Sequence, residues 1–247
     1  MLTANLLAGA GDAPTLVRLV RERQVDVLAV QEFTPEAAAR LDASGLAELM
    51  PHRRLNPVAG TEGSGLYSRF PLTATGVREN PGGFTQAYGT LTAPGAAPAT
   101  VESVHPAAPY SLGQLRAWER DLDAQPRATP GGPIRILAGD FNATLDHAPL
   151  RRLIASGYRD AADATGAGLA GTWGPYLPDQ RHSSDRVPAI RRMAARITGD
   201  RIPPVTIDHV LVDRRVGVRD VSVLRLPGSD HRPVYAELAL PRAELGG

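Results

Sequence analysis

The chain of 247 residues contains no cysteine, which excludes disulfides, thiolate metal sites and cysteine nucleophiles. It contains no lysine either: all 27 basic side chains are arginine. With abundant alanine, glycine and proline, this bias reads as the mark of a GC-rich genome, and arginine clusters are discounted accordingly. Net charge is only +1, which argues against a basic nucleic-acid footprint spread over the whole surface. No apolar run reaches the roughly 18 residues that a membrane-spanning helix needs. The opening segment, Met1 to Leu7, lacks the charged start and cleavage site of a signal peptide and reads as a strand entered part-way, from a chain expected to begin earlier. No repeat or long low-complexity linker divides the sequence, so residues 1–247 are expected to be one domain, and 43% hydrophobic content supplies a large core.

What is present is organised around Ile136-Leu137-Ala138-Gly139-Asp140-Phe141-Asn142-Ala143. An apolar strand starts at Ile134 and stops where two oxygen-bearing side chains appear two residues apart. On an extended backbone such positions share one side, so Asp140 and Asn142 are expected to face one space, with Phe141 turned to the core. Such a pair orients water, binds a hard cation or makes a turn, and other segments must decide.

Those segments follow one pattern. A first strand delivers Asn5, and a helix runs from Asp12 or Pro14 to about Gln24. The strand 25–30 delivers Gln31-Glu32, and Glu32 is not needed to cap the next helix because Thr34 and Pro35 already start it. A glycine-rich entry leads into a strand that breaks at Pro71. Residues 84–92 and 99–105 read as a hairpin pair that ends in His105. The segment 110–122 reads as an amphipathic helix with Leu112, Leu115, Trp118 and Leu122 in register, and 146–155 as another. A carboxylate, Asp208, interrupts the apolar strand 205–212 and needs a cation or histidine beside it. Strand 216–226 and the turn Pro227-Gly228-Ser229-Asp230-His231 precede a last strand, 234–240. Gly174 to Pro204 shows no strand. Within it, 187–197 reads as a short helix carrying Arg191, Arg192 and Arg196, an ordinary surface helix or a lid or docking surface for anions.

Asn5, Gln31-Glu32, Gly65 to Leu72, His105, Gly139-Asp140-Phe141-Asn142, Ile207-Asp208-His209 and Ser229-Asp230-His231, in that order, resemble the motifs of the endonuclease/exonuclease/phosphatase family. The resemblance spans Asn5 to Leu240 and implies a DNase I-like fold: a four-layer α/β sandwich of two mixed β-sheets packed face to face with helices outside. The texture His105 to Pro109, Ala138 to Thr144, Thr172-Trp173 and Ile207 to Leu211 is closest to actinobacterial, membrane-anchored, extracytoplasmic members of the teicoplanin-resistance type.

The resemblance also implies roles. Glu32 would be the principal ligand of Mg²⁺, for which Mn²⁺ could substitute, with Asn5 and Asp230 beside it. Asp140 would orient or deprotonate the attacking water, and Asn142 would hold that water or the phosphate. Asp208 would pair with His231, and His105 and Arg116 would bind the phosphate. Leu7 stands where some members carry an acidic residue, which weakens any case for a second metal, and His209 stands where an aromatic is common. The expected activity is metal-dependent phosphoester or pyrophosphate hydrolysis on a lipid-linked or cell-envelope substrate, with membrane-surface contact and no obligate protein partner. A Mg²⁺-dependent nuclease and a catalytically silent binding module of the same fold are the alternatives.

Overall fold

Side chains alternate across a strand, so an all-apolar run such as Val27-Leu28-Ala29-Val30 must be covered on both faces. The computed structural model, which describes residues 1–174 and 204–243, does this. Leu28 and Val30 pack among Leu16, Val20 and Leu41, while Val27 and Ala29 meet Leu66, Val101, Ile136 and Val210. A second sheet repeats the arrangement: Ile136 and Ala138 face the first sheet, and Leu137 faces outward onto Trp118, Leu122 and Leu150. Truncating any of these buried leucines to alanine would remove about 2–5 kcal/mol.

Among the described residues there are two six-stranded sheets. The first runs β11 (Gly217–Val223), β12 (Val234–Ala239), β1 (Leu2–Asn5), β2 (Val27–Gln31), β4 (Ser64–Ser68), β3 (His52–Asn56). The second runs β5 (Leu72–Glu79), β6 (Thr85–Leu91), β7 (Ala99–Val104), β8 (Ile134–Asp140), β10 (Asp208–Asp213), β9 (Tyr158–Asp160). Each sheet holds one parallel pair, β1 with β2 and β7 with β8. A parallel pair needs a crossover, supplied by α1 (Ala13–Glu22) and α4 (Leu112–Asp123). Helices α2 (Pro35–Ala43), α3 (Leu46–Leu49), α5 (Ala148–Ala155) and α6 (Ala161–Ala164) complete the outer layers. The result is the four-layer α/β sandwich expected.

This topology gathers strand ends. The parallel pairs finish together, Asn5 beside Gln31 and Val104 beside Gly139. Strand β10 runs the other way and begins at Asp208, opposite Asp140. Strand β12 is antiparallel to β1, with Val234 against Thr3, so the turn just before it reaches the end of β1. Polar residues far apart in sequence therefore meet at one edge.

Behind that edge the two sheets are joined by buried polar groups. Gln31 Nε2 donates to Ser103 Oγ (2.8 Å), which donates to Val30 O (2.9 Å). Within the first sheet Thr3 Oγ1 donates to Gln31 Oε1 (3.2 Å), and across the seam Ala87 N donates to Ser64 Oγ (3.0 Å).

Local chemistry explains most boundaries. Asp12 and Thr34 accept from Thr15 N and Ala37 N and cap α1 and α2, and the expected hairpin is β6 with β7. The expected face of α4 is only half right: Trp118 and Leu122 are buried, but Leu112 is 83% exposed and Leu115 37%, because the layer beneath the helix reaches only its second half. Strand β10 starts later than expected, at Asp208, since Val205 instead bridges Trp173. The helix expected at 187–197 lies outside the described residues. Among the described residues no helix is long and apolar enough to cross a membrane.

Candidate active site

Gly139 brings β8 close to β7: a Cβ there would stand 1.9 Å from Val104 O. Only glycine fits, and the next residue, Asp140, emerges at the shared edge. Its carboxylate is buried; Oδ1 accepts from Asn142 N (2.8 Å) and Oδ2 from Asn5 Nδ2 (3.1 Å). His231 bridges Asp140 and Asp208. Its Nδ1 lies 2.9 Å from Asp208 Oδ2, and its Nε2 lies 3.6 Å from Asp140 Oδ2. The second separation is too long for a hydrogen bond, so the proton on Nδ1 serves Asp208 while Nε2 is turned toward the space beside Asp140. Ser229 fixes this turn, donating to Asn5 O (2.7 Å) and accepting from His231 N (3.1 Å).

Electrostatics follow from burial. Withdrawal from water and the nearby Asp208 and Glu32 raise the Asp140 carboxyl to about 7, against the pull of His231 and the Asn142 amide. Withdrawal from water works against charge on His231, yet Asp208 and Asp140 outweigh it and hold the imidazole well above its ordinary value. At neutral pH the centre thus holds an imidazolium beside a carboxyl able to exchange its proton.

Glu32 follows the last residue of β2 with φ 52°, and Leu7 and Ala8 follow β1 with φ 50° and 46°. These left-handed residues fold the two strand ends toward each other. Glu32 Oε1 accepts from Asn5 Nδ2 (3.1 Å) and Oε2 from Ala8 N (2.5 Å). Asn5 Oδ1 accepts from Leu7 N (2.9 Å). Loss of water raises the Glu32 carboxyl, and Asp230 adds to the rise against His231, the Ala8 amide and Asn5. Asp230 Oδ2 accepts from Trp173 Nε1 (3.1 Å). Trp173 in turn bridges His231 and Val205.

A hard divalent cation fits this chemistry. Glu32 and Asp230 offer oxygens only, and a cation would relieve both the dehydration of Glu32 and its repulsion by Asp230. One ligand atom each of Asp140, Asp208 and His231 also lie within 4.8 Å of one another. That trio is already satisfied internally, and an imidazolium donates rather than ligates. Glu32 and Asp230 would hold such a cation through oxygens alone.

His105 stands across from His231, its Nε2 3.8 Å from Asp140 Oδ2. Burial, then the charge on His231, lower it to about 3 despite the Thr61 backbone, so it is neutral. A buried polar network holds its backbone. His105 N donates to Gln86 Oε1 (3.3 Å), Asn80 Nδ2 donates to His105 O (3.1 Å), and Ala107 N donates to Asp121 Oδ2 (2.9 Å). Asn142 is beside Asp140, but not by strand alternation: β8 has ended, Asn142 has φ 50°, and its amide closes a turn onto Asp140. Its Nδ2 donates to Pro106 O (3.1 Å).

Asn5, Glu32, His105, Asp140, Asn142, Asp208, Asp230 and His231 thus gather at one edge. Arg116 does not join them by contact; it lies exposed on α4 with no hydrogen bond to any of these residues. Sequence reasoning missed Trp173 as a partner of Asp230, the polar brace under His105 and the partners of His209. A cavity of about 660 Å³ lies elsewhere, lined by Leu145, Arg151, Ile154, Tyr158, Asp160 and Arg214 among others, and by none of the gathered residues.

The Endonuclease/Exonuclease/phosphatase family model matches residues 2–231. Among solved structures, an endonuclease/exonuclease/phosphatase from Beutenbergia cavernae DSM 12333 superimposes with TM-score 0.68 at 19% identity, covering 99% of this chain and 72% of its own. TDP2 of D. rerio, complexed with single strand DNA product, gives 0.65 at 16% identity over 96% and 97% of the two chains. Sphingomyelinase C from Streptomyces griseocarneus gives 0.55 at 18% identity over 96% and 98%. Likeness at these identities concerns the fold. No curated protein is significantly similar to the chain.

Proposed function

Since this chain belongs to the Endonuclease/Exonuclease/phosphatase family, we propose that it is a divalent-metal-dependent phosphoesterase that hydrolyses a phosphate ester or pyrophosphate with an activated water. The observation that carries this reading is the buried Asp140–His231–Asp208 arrangement, with Glu32 and Asn5 hydrogen-bonded into it.

In this reading Asp140 holds the attacking water and takes its proton, for which a value of about 7 is well placed. Asp208 fixes the tautomer of His231, whose positive charge compensates the charge that spreads over the phosphoryl oxygens. Neutral His105 donates one N–H to a phosphoryl oxygen from the other side, and Asn142 positions the water or phosphate. Glu32 and Asp230 would hold Mg²⁺ or Mn²⁺, and Asn5 keeps one Oδ1 lone pair beyond the bond from Leu7 N. When bound, the cation supplies Lewis-acid compensation for phosphoryl charge.

Exposed apolar side chains favour an amphiphilic phosphate. Large exposed hydrophobics among the described residues are Tyr110 (74%), Leu112 (83%), Leu115 (37%), Leu169 (98%) and Trp173 (37%). The first three follow His105 in the chain, and Trp173 touches Asp230. An exposed apolar ring against a site carboxylate suits a lipid-linked phosphate presented at a membrane surface. A nuclease is the second reading: exposed Tyr110 and Trp173 could stack bases, while the net charge of +1 gives it little electrostatic help. A silent binding module would not need the complete set of carboxylates and histidines.

The test is hydrolysis of plasmid DNA, a chromogenic phosphodiester, a polyprenyl pyrophosphate and a phospholipid, in Mg²⁺ or Mn²⁺ and then in EDTA. Metal-dependent turnover lost in Asp140→Asn and His231→Ala establishes the site and names the substrate class. Cation binding without turnover across the panel would favour the binding module.

A further inference from the structure

His209 follows Asp208 on β10, and alternation turns it away from the catalytic edge into the outer layer. It is 1% exposed and both ring nitrogens face acceptors: Nδ1 lies 2.9 Å from Asp160 Oδ2, and Nε2 lies 2.7 Å from Ala143 O. Satisfying both requires a proton on each nitrogen, an imidazolium balanced by Asp160. Both oxygens of the Asp160 carboxylate are engaged, because Oδ1 accepts from Asp163 N (2.8 Å) at the start of α6. The ring also meets Phe141 edge-on, with centroids 5.7 Å apart.

The bond to Ala143 matters because of what precedes it. Strand β8 ends at Asp140, and the next residues turn through the left-handed Asn142. The turn is secured at few points. Phe141 N donates to Ile207 O (2.9 Å), Trp118 Nε1 donates to Phe141 O (3.2 Å), and Asn142 Nδ2 donates to Pro106 O (3.1 Å). His209 holds the far side. Stability alone does not account for such a pair, since replacing a buried ion pair by well-packed neutral groups is often neutral or stabilising.

We propose that His209 and Asp160 are a positioning pair for hydrolysis: they tether Ala143 and so fix the turn that aims Asp140 and Asn142. This rests on the reading of the site as hydrolytic. The pair touches no substrate; it acts only through the turn.

The test is the His209→Phe/Asp160→Asn double variant. It keeps the ring contact and the α6 cap, buries no unpaired charge, and cuts the tether. Against wild type, kcat should fall about 10–100-fold with KM little changed, and amide exchange over 141–145 should accelerate while the rest of β8 stays protected. Asp160→Asn alone should lose several-fold less kcat than the double variant, because an asparagine amide can donate to Nδ1 while Nε2–H still reaches Ala143. A folded double variant with wild-type kcat and unchanged exchange would overturn the proposal, as would an equal loss in Asp160→Asn. Should the phenylalanine variant not fold, His209→Leu/Asp160→Asn repeats the test. Exchange is read without substrate, so a wild type that hydrolyses nothing would sink the hydrolytic reading while exchange still decides whether the tether exists.

Discussion

Asp208 is the cross-strand partner of Asp140, so two carboxylates stand side by side on one buried sheet edge, and His231 is the group that reconciles them. Like charges directly opposite one another destabilise a ladder; an imidazolium 2.9 Å from one and 3.6 Å from the other reverses the sign. Asp208→Asn leaves the ladder intact and removes the charge that holds His231 protonated. Its kcat/KM should fall by about 10²–10⁴, on the scale seen when the carboxylate that orients a catalytic histidine is neutralised, with an unchanged circular dichroism spectrum. Near-wild-type turnover would remove Asp208 and His231 from the chemistry.

Asp140→Asn should lose hydrolysis by a comparable factor, about 10²–10⁴ for loss of a general base, and gain stability. The folded-state carboxyl lies at about 7, above its ordinary value, so the native state binds more protons than the unfolded chain between the two values. Its contribution is fully present at low pH and is lost as pH rises through about 7. The asparagine variant escapes that loss. In EDTA, its melting temperature should exceed that of wild type at pH 8, with the gap closing toward pH 4. A gap that widens on acidification would show the sign to be wrong.

His105 works in the opposite direction. Burial lowers it to about 3, so between its ordinary value and there the unfolded chain takes up a proton that the folded one refuses. Stability therefore falls as pH drops through that interval. His105→Gln should flatten this acid limb in urea titrations at several pH values. An equally steep limb would mean that His105 is not buried neutral.

Cation binding is read without catalysis. Added Mg²⁺ in excess of its dissociation constant stabilises the form that binds it, by about 2.7 kcal/mol at a hundredfold excess. Wild type should show this rise in thermal unfolding, and Glu32→Gln much less of it. Equal shifts in both proteins would place the cation elsewhere.

Gly139→Ala tests the close approach of β7 and β8. A methyl 1.9 Å from Val104 O, against backbone rather than a movable side chain, has nowhere to go. The variant should be destabilised by about 3 kcal/mol or more, read from urea midpoints. A loss below about 1 kcal/mol would refute the close approach.

Much of the site was legible because apolar runs that stop at Asn5, Glu32 and Asp140, and one that Asp208 interrupts, put polarity where a strand alone has no use for it. The meeting of these ends was not legible from pattern. Strand β1 pairs with β12, almost the whole chain away, and no local pattern shows such a pairing. Alternation misjudged Asn142, since asparagine tolerates a left-handed backbone that periodicity assumes away. Helical spacing showed which residues of α4 share a face, but not that cover begins at Trp118 and leaves Leu112 bare. His209 stood out only against the family pattern, and its partner was hidden, because Asp160 lies in a short edge strand that only tertiary pairing creates.

The buried polar groups between the sheets have a further bearing on the proposed reaction. Grease alone would let two sheets slip past one another by a fraction of an ångström at little expense, because apolar contact is not directional. Hydrogen bonds such as Gln31 to Ser103 and Ser103 to Val30 are directional, and they set the phase of one sheet against the other. Asn5 belongs to one sheet and Asp140 to the other, so their 3.1 Å contact works as a vernier: misalignment anywhere along the seam is read out where the phosphate would sit.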